Sequence, residues 1–136
     1  MKALSMTQPW ASLVALEEKR IETRSWKTPY RGPLAIHAAK TYPGWAKEWC
    51  KEPTFAKALG NCCPELYRGS IVCVTSLLDC VRTEDIRDKL ESKEIAFGDY
   101  GMARWAWILG PVVKRFGSVE FPATGHLGLW EWDERS

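Results

Sequence analysis

The sequence predicts an α+β fold built around a small barrel-like sheet. Several stretches alternate apolar and polar residues with the period of two that a strand requires. Shorter stretches with helical spacing fall between them, and these do not recur in the strand–helix–strand rhythm of a parallel α/β sheet. At 136 residues the chain is read as one domain, 1–136, large enough to bury a core.

Taken in order, Lys2–Met6 alternates and reads as the first strand. Thr7 or Gln8 can cap a helix over Pro9–Glu18. Pro9 is tolerated in its first turn, where a missing N–H leaves no bond unmade. Trp10, Leu13 and Val14 form its apolar stripe, widened by Ala15 and Leu16. Ile21–Trp26 alternates as a strand, and Thr28–Pro33 is turn material. Leu34–Ala39 reads as a buried strand, followed by short helices over Pro43–Lys51 and Pro53–Leu59, with Gly60 as a stop. Asn61–Gly69 reads as a loop. Ser70–Asp79, rich in Ile, Val and Leu, is the predicted central strand. Thr83–Ser92 has a cap and a small apolar stripe and reads as one helix. A Gly-punctuated loop, Phe97–Met102, leads to a strand over Arg104–Leu109 and a continuation over Val112–Phe116. The last strand is Leu127–Trp132, after a turn at Pro122–Gly125.

Composition narrows the function classes. Hydrophobic residues make up 46% and charged residues 26%, which is a folded protein rather than a disordered one. The net charge of +2 is too small for a protein that coats duplex DNA, yet it permits a local basic rim for one nucleotide or a short strand. Eight tryptophans are unusual for this length, and an indole serves equally as core filler or as a stacking platform for a base. The five cysteines are scattered and odd in number, which is read as reduced thiols rather than a disulfide framework. They lack the spacing of a zinc site, so no metal or other cofactor is expected. No apolar run has the length of a membrane span and no signal peptide is evident, so a cytoplasmic protein is expected.

The chemistry concentrates in Leu16–Trp26. On a strand, side chains two apart share a face, so Glu22, Arg24 and Trp26 project together while Ile21, Thr23 and Ser25 project the other way. Lys19, at the junction with the preceding helix, can reach over the same face. A carboxylate, two cations and an indole in this arrangement suit a planar, polar ligand. Glu22 can accept from an exocyclic amine, and Arg24 offers a planar donor fork to a carbonyl or phosphate.

These residues also carry a resemblance. The order Gln8-Pro9-Trp10-Ala11, then Lys19-x-x-Glu22-x-Arg24, then Trp26, then Arg31-Gly32-Pro33-Leu34-x-Ile36-His37-Ala38 resembles the ASCH family (activating-signal-cointegrator homology) of the PUA-like superfamily. Trp105-Ala106-Trp107 and Gly125-x-x-Gly128-Leu129-Trp130 resemble its closing strands, so the likeness spans essentially the whole chain. The family motif is G-x-K-x-x-E-x-R, and its glycine position is held here by Glu17. The resemblance implies a small mixed β-barrel with peripheral helices and a cleft beside the motif that binds RNA or a nucleotide. Some relatives hydrolyse N4-acetylcytidine and carry threonine where this chain has Glu22, and a few others have been proposed to be ribonucleases.

The expected ligand-binding set is Gln8, Trp10, Lys19, Glu22, Arg24, Trp26, Arg31 and His37. The resemblance places Gln8 and Trp10 at the cleft mouth, although helical spacing favours Trp10 as core. Trp26 is the favoured stacking platform. Trp105 and Trp107 are read as core, and Trp45 and Trp49, four apart, as the packing face of a helix. Arg31, Lys40 and Arg104 could form a phosphate rim. His37 is a secondary candidate, and His126 falls near the final turn. Three functions stay open: a module binding RNA, a nucleotide or a modified nucleoside; a small hydrolase with Lys19 and Glu22 in catalytic acid–base roles; and a protein-interaction domain using its aromatic surface.

Overall fold

In the computed structural model, which describes residues 1–60 and 66–134, the first strand already divides the interior into two. β1 (Lys2–Met6) sends Leu4 and Met6 into one buried cluster and Ala3 into another. β1 runs parallel to β3 (Gly32–Ala38), pairing Ser5 with His37 and Met6 with Ala38. Between them lie α1 (Trp10–Ala15) and β2 (Ile21–Arg24). The chain continues through α2 (Gly44–Trp49), α3 (Pro53–Leu59) and the long β4 (Ser70–Arg82). It ends with α4 (Thr83–Ile86), α5 (Ser92–Ala96), β5 (Trp105–Leu109), β6 (Lys114–Arg115) and β7 (Leu129–Glu131). The sheet order is β2-β5-β4-β3-β1-β7, with β6 paired to β4.

The α+β class stands, but the sheet is not closed into a barrel. β2 and β7 end the strand order, and no ladder joins them among the described residues. The sheet curls nonetheless. Arg24 at the end of β2 donates through Nη2 to the Ser5 carbonyl on β1 at 2.9 Å, although β5, β4 and β3 lie between those strands. A side chain therefore bridges a gap that no backbone ladder closes. α1 sits inside the curl, where Ala11 and Val14 pack with Leu4, Met6, Leu34, Ile36 and Trp107. Full burial of each large apolar side chain contributes about 1.5–3 kcal/mol, so this cluster holds α1 against β1, β3 and Trp107.

Several boundaries differ from the sequence reading for identifiable reasons. β2 stops at Arg24 because the Trp26 ring turns edge-on to Trp107, 4.7 Å between centroids, while the Trp107 indole donates to the Trp26 carbonyl at 3.2 Å. β4 runs past Asp79 because, after an irregularity, Cys80 and Arg82 keep pairing with Trp107 and Trp105 of β5. The helix expected over Thr83–Ser92 is instead α4 and a 3₁₀ turn at Arg87–Lys89, with α5 starting at Ser92. The backbone is extended at Leu90, and Ile86, Leu90 and Ile95 pack against Ile21, Tyr100 and Ala106. Part of the expected loop, residues 61–65, lies outside the described residues, and with it Cys62 and Cys63. Cys50 is disulfide-bonded, against the expectation of reduced thiols throughout, whereas Cys73 and Cys80 are free.

α1 is shorter than expected because it ends in a tight reversal. The Glu17 N–H donates to the Val14 carbonyl and the Glu18 N–H to the Leu13 carbonyl, both at 3.0 Å. This is the Schellman pattern, whose turning residue is most often glycine. Here the turning residue is Glu17, with φ of 60°. The same turn delivers the Lys19 N–H to the Leu13 carbonyl at 3.0 Å and starts β2 two residues later. Left-handed backbone costs a side-chain-bearing residue roughly 1–2 kcal/mol, part of which glycine returns as chain entropy. Glu17→Gly is expected to stabilise the protein by up to about 1 kcal/mol, seen as a higher urea midpoint at unchanged slope. A midpoint equal to or below the parent's would show that the turn carries no such strain.

Candidate functional site

The turn at Glu17 points Lys19 inward. Its side chain is fully enclosed, with Nζ donating to the Phe97 carbonyl at 2.7 Å and lying 3.5 Å from Glu22 Oε1. A buried ammonium needs such partners. Burial pushes the Lys19 pKa below the usual lysine range, while the charges of Glu22 and Glu94 act in the opposite sense. Glu94 Oε1 accepts the Arg20 N–H at 2.8 Å, and its Oε2 is buried without a hydrogen-bond partner. Burial raises the Glu94 pKa accordingly.

Glu22 is held on its other side by Arg24, whose Nε donates to Oε2 at 3.0 Å. With Arg24 Nη2 on the Ser5 carbonyl, Nη1 makes no hydrogen bond among the described residues. The pair is therefore fixed in place but retains donor and acceptor capacity. β2 is an edge strand, and the segment after α5 wraps its free edge. The Thr23 hydroxyl accepts the Asp99 N–H at 3.0 Å, and Arg104 Nη2 donates to the Thr23 carbonyl at 3.3 Å. Gly98 permits this approach: a Cβ there would lie 2.8 Å from the Tyr100 ring and 3.3 Å from the Thr23 methyl.

These elements enclose a cavity of about 650 Å³ with two unlike walls. Glu22, Thr23, Arg24, Asp99 and Arg104 supply the polar wall. Trp10, Trp45, Trp49 and Phe55 supply the aromatic one. Trp10 lies 6.0 Å from Trp45 with planes tilted by 39°, and Phe55 meets Trp10 edge-on at 6.0 Å. Trp45 is 62% exposed despite its size, leaving ring surface open to a ligand.

The structure brings together part of the expected set. Glu22, Arg24 and Trp10 line the cavity, joined by Arg104. Lys19 stands behind Glu22 rather than in the hollow. Gln8 is buried and its amide is committed: Nε2 donates to Ser12 Oγ at 2.8 Å and to the Tyr67 carbonyl at 2.7 Å, while Oε1 accepts the Ser12 N–H at 3.0 Å. It anchors α1. Trp26 is packed against Trp107. Arg31 donates to the Thr28 and Tyr30 carbonyls, away from the cavity. His37 and Lys40 line a different hollow. Thr23, placed by alternation on the far face, does contribute to the wall because the Gly98 segment folds over it.

Trp45 and Trp49, expected as packing residues, do pack against Trp10 and Phe55, and they also line the aromatic wall. A signal was present. α2 is Gly-Trp-Ala-Lys-Glu-Trp, and Ala46 alone of its residues is buried. Two indoles four apart beside Lys47 and Glu48, on a helix too short to carry a full apolar stripe, had a reason to face outward. No group of three or more His, Cys, Asp or Glu residues among those described could hold a metal ion. No helix among them is long and apolar enough to cross a membrane.

Comparison with known proteins bears on this arrangement. Residues 4–120 match the family model described as the ASCH domain. The chain is 35% identical over 135 residues to Activating signal cointegrator 1 of Mus musculus, covering 97% of this chain and 22% of that protein. It is 34% identical to the Homo sapiens protein of the same name, with the same coverage. The chain thus spans about a fifth of the length of these curated relatives.

Lys19→Met removes the buried charge and leaves the Phe97 carbonyl unpaired. It is expected to cost about 3 kcal/mol, the scale for breaking a buried ion pair. The pH dependence has a definite sign. With the folded pKa of Lys19 below 10.5, the unfolded chain binds more protons between the two values, and stability rises with pH across that window. Denaturation of the parent and of Lys19→Met at successive alkaline pH values should show this rise in the parent alone. Parallel profiles would contradict the burial of a charged Lys19.

Proposed function

We propose, for a chain that belongs to the ASCH domain family, that its two-walled hollow holds one base of RNA or of a nucleotide. The observation that carries this reading is the pairing of an aromatic wall with a fixed carboxylate–guanidinium pair across one cavity. An aromatic face accepts any base by stacking, worth about 1–3 kcal/mol. The polar wall then selects among bases. Glu22 accepts from an exocyclic amine and Arg24 Nη1 donates to a carbonyl, so bases carrying both groups, cytosine and guanine, fit better than adenine or uracil. Trp45 and Trp10 are the stacking platforms, Glu22 and Arg24 the readers, and Lys19 the residue that positions Glu22. Arg104, tied to Asp99, adds positive charge at the rim.

Binding is favoured over hydrolysis by the placement of Lys19. Its Nζ is enclosed between the Phe97 carbonyl and Glu22, out of reach of a substrate in the cavity. A general base must come within hydrogen-bond reach of the proton it takes.

Titration of the intrinsic tryptophan fluorescence with the four nucleosides and with N4-acetylcytidine, followed by chromatography of the mixtures, tests this reading. Cytidine and guanosine should quench saturably and be recovered unchanged. Trp45→Ala should weaken binding about 5- to 150-fold, the equivalent of one stacking contact, and Arg24→Ala should abolish the preference for guanosine over adenosine, which lacks the carbonyl that Arg24 reads. Equal affinity of parent and Trp45→Ala would remove the cavity assignment, and product release would support the hydrolase reading in its place.

A further inference from the structure

On the opposite side of Ser5 from the base cavity lies a second hollow of about 1150 Å³. Ser5 lines both, so the two meet at the end of β1. Their chemistry differs sharply. The base cavity sets two carboxylates, Glu22 and Asp99, against its cations. Among the described residues no Asp or Glu lines the second hollow, whose wall carries Lys40, Arg68 and His126. Lys40 and Arg68 are exposed, and neither makes an ion pair or hydrogen bond among the described residues.

The floor between these cations is rigid. The Trp130 indole donates to Ser5 Oγ at 3.1 Å, and Ser5 Oγ lies 2.9 Å from His37 Nδ1. His37 Nε2 is 2.8 Å from the Ala123 carbonyl. A carbonyl only accepts, so Nε2 carries the ring proton and Nδ1 accepts from the serine hydroxyl. Burial keeps the His37 pKa below its ordinary value, in agreement with a neutral ring. The Ala123 N–H in turn donates to the Gly69 carbonyl at 3.0 Å, which fastens the loop beside Arg68. Gly125 seals the floor: a Cβ there would stand 2.5 Å from Ser5 Oγ and 2.7 Å from the His37 ring. Glycine lets this segment lie directly against the Ser5–His37 pair.

We propose that this second hollow is a phosphate subsite for the backbone of the strand whose base enters the first. The ligand is then single-stranded RNA of at least two nucleotides rather than a free nucleoside. The proposal rests on the base-cavity reading only for the direction in which the strand runs. A cationic rim that among the described residues has neither ion pairs nor carboxylates attracts a phosphodiester, and its junction with an aromatic-walled cavity at Ser5 favours nucleic acid over an acidic peptide.

The test uses the full chain, titrated with cytidine, cytidylyl-(3′→5′)-cytidine, a hexacytidylate and a hexaglutamate peptide at several salt concentrations. The hexanucleotide should bind at least ~10-fold more tightly than cytidine at low salt. In Lys40→Ala/Arg68→Ala that ratio should collapse toward one, and the salt slope should fall by roughly 1.4, the contribution of two single-strand phosphate contacts. Both positions are exposed, so circular dichroism should show the variant folded. A ratio near one in the parent, a ratio retained in the variant, or hexaglutamate binding as tightly as the hexanucleotide would each overturn the proposal. Hexanucleotide binding that depends on Lys40 and Arg68 without detectable cytidine binding would support the phosphate subsite and count against the base cavity.

Discussion

An enclosed ammonium is the constraint around which the rest of this structure is arranged. Lys19 has given up water for two protein partners, the Phe97 carbonyl and the Glu22 carboxylate. Taking a charge out of water costs several kcal/mol, recovered only if the partners are held in place. The fold meets that condition from both sides. The Schellman turn after α1 fixes the lysine backbone, and the segment after α5 is fastened to β2 through Thr23 and Arg104. Because Glu22 is committed to Lys19 on one oxygen and to Arg24 on the other, its position does not depend on a ligand.

That preorganisation matters because the polar wall has to face a wall built from remote parts of the chain. Trp10 belongs to α1, Trp45 and Trp49 to α2, and Phe55 to α3. Immobilising long side chains at the moment of binding costs affinity. Here Arg24 is already held by Glu22 and by the Ser5 carbonyl. The Arg24–Ser5 bond thus serves two levels of structure at once. It spans the opening of a sheet that does not close on itself, and it orients the guanidinium toward the hollow.

The polar wall of the candidate site was more legible in the sequence than the aromatic wall, for a physical reason. Glu22 and Arg24 are two residues apart on one strand, so local periodicity was enough to put them on a common face. The same periodicity placed Trp26 beside them, but it holds only while the strand lasts, and the chain leaves β2 to bury that indole against Trp107. Lys19 was assigned to the right cluster at the wrong depth, because burial depends on the distant Phe97 segment. Gln8 looked like a reader of base edges and is instead the anchor of α1, its partner Tyr67 being 59 residues away. Most strands were legible and the α+β class with them. The open sheet was not, because closure depends on which edges meet rather than on any local pattern.

The central claim is that a base lies between the indoles of α1 and α2 and the Glu22–Arg24 pair, with Trp26 outside. Heteronuclear NMR of the tryptophan indole N–H and arginine Nε–H signals during titration with cytidine addresses it directly. The account predicts that the Trp45, Trp49 and Arg24 signals move together along one saturation curve while those of Trp26 and Trp107 stay in place. Movement of Trp26 with Trp45 and Arg24 unperturbed would contradict it.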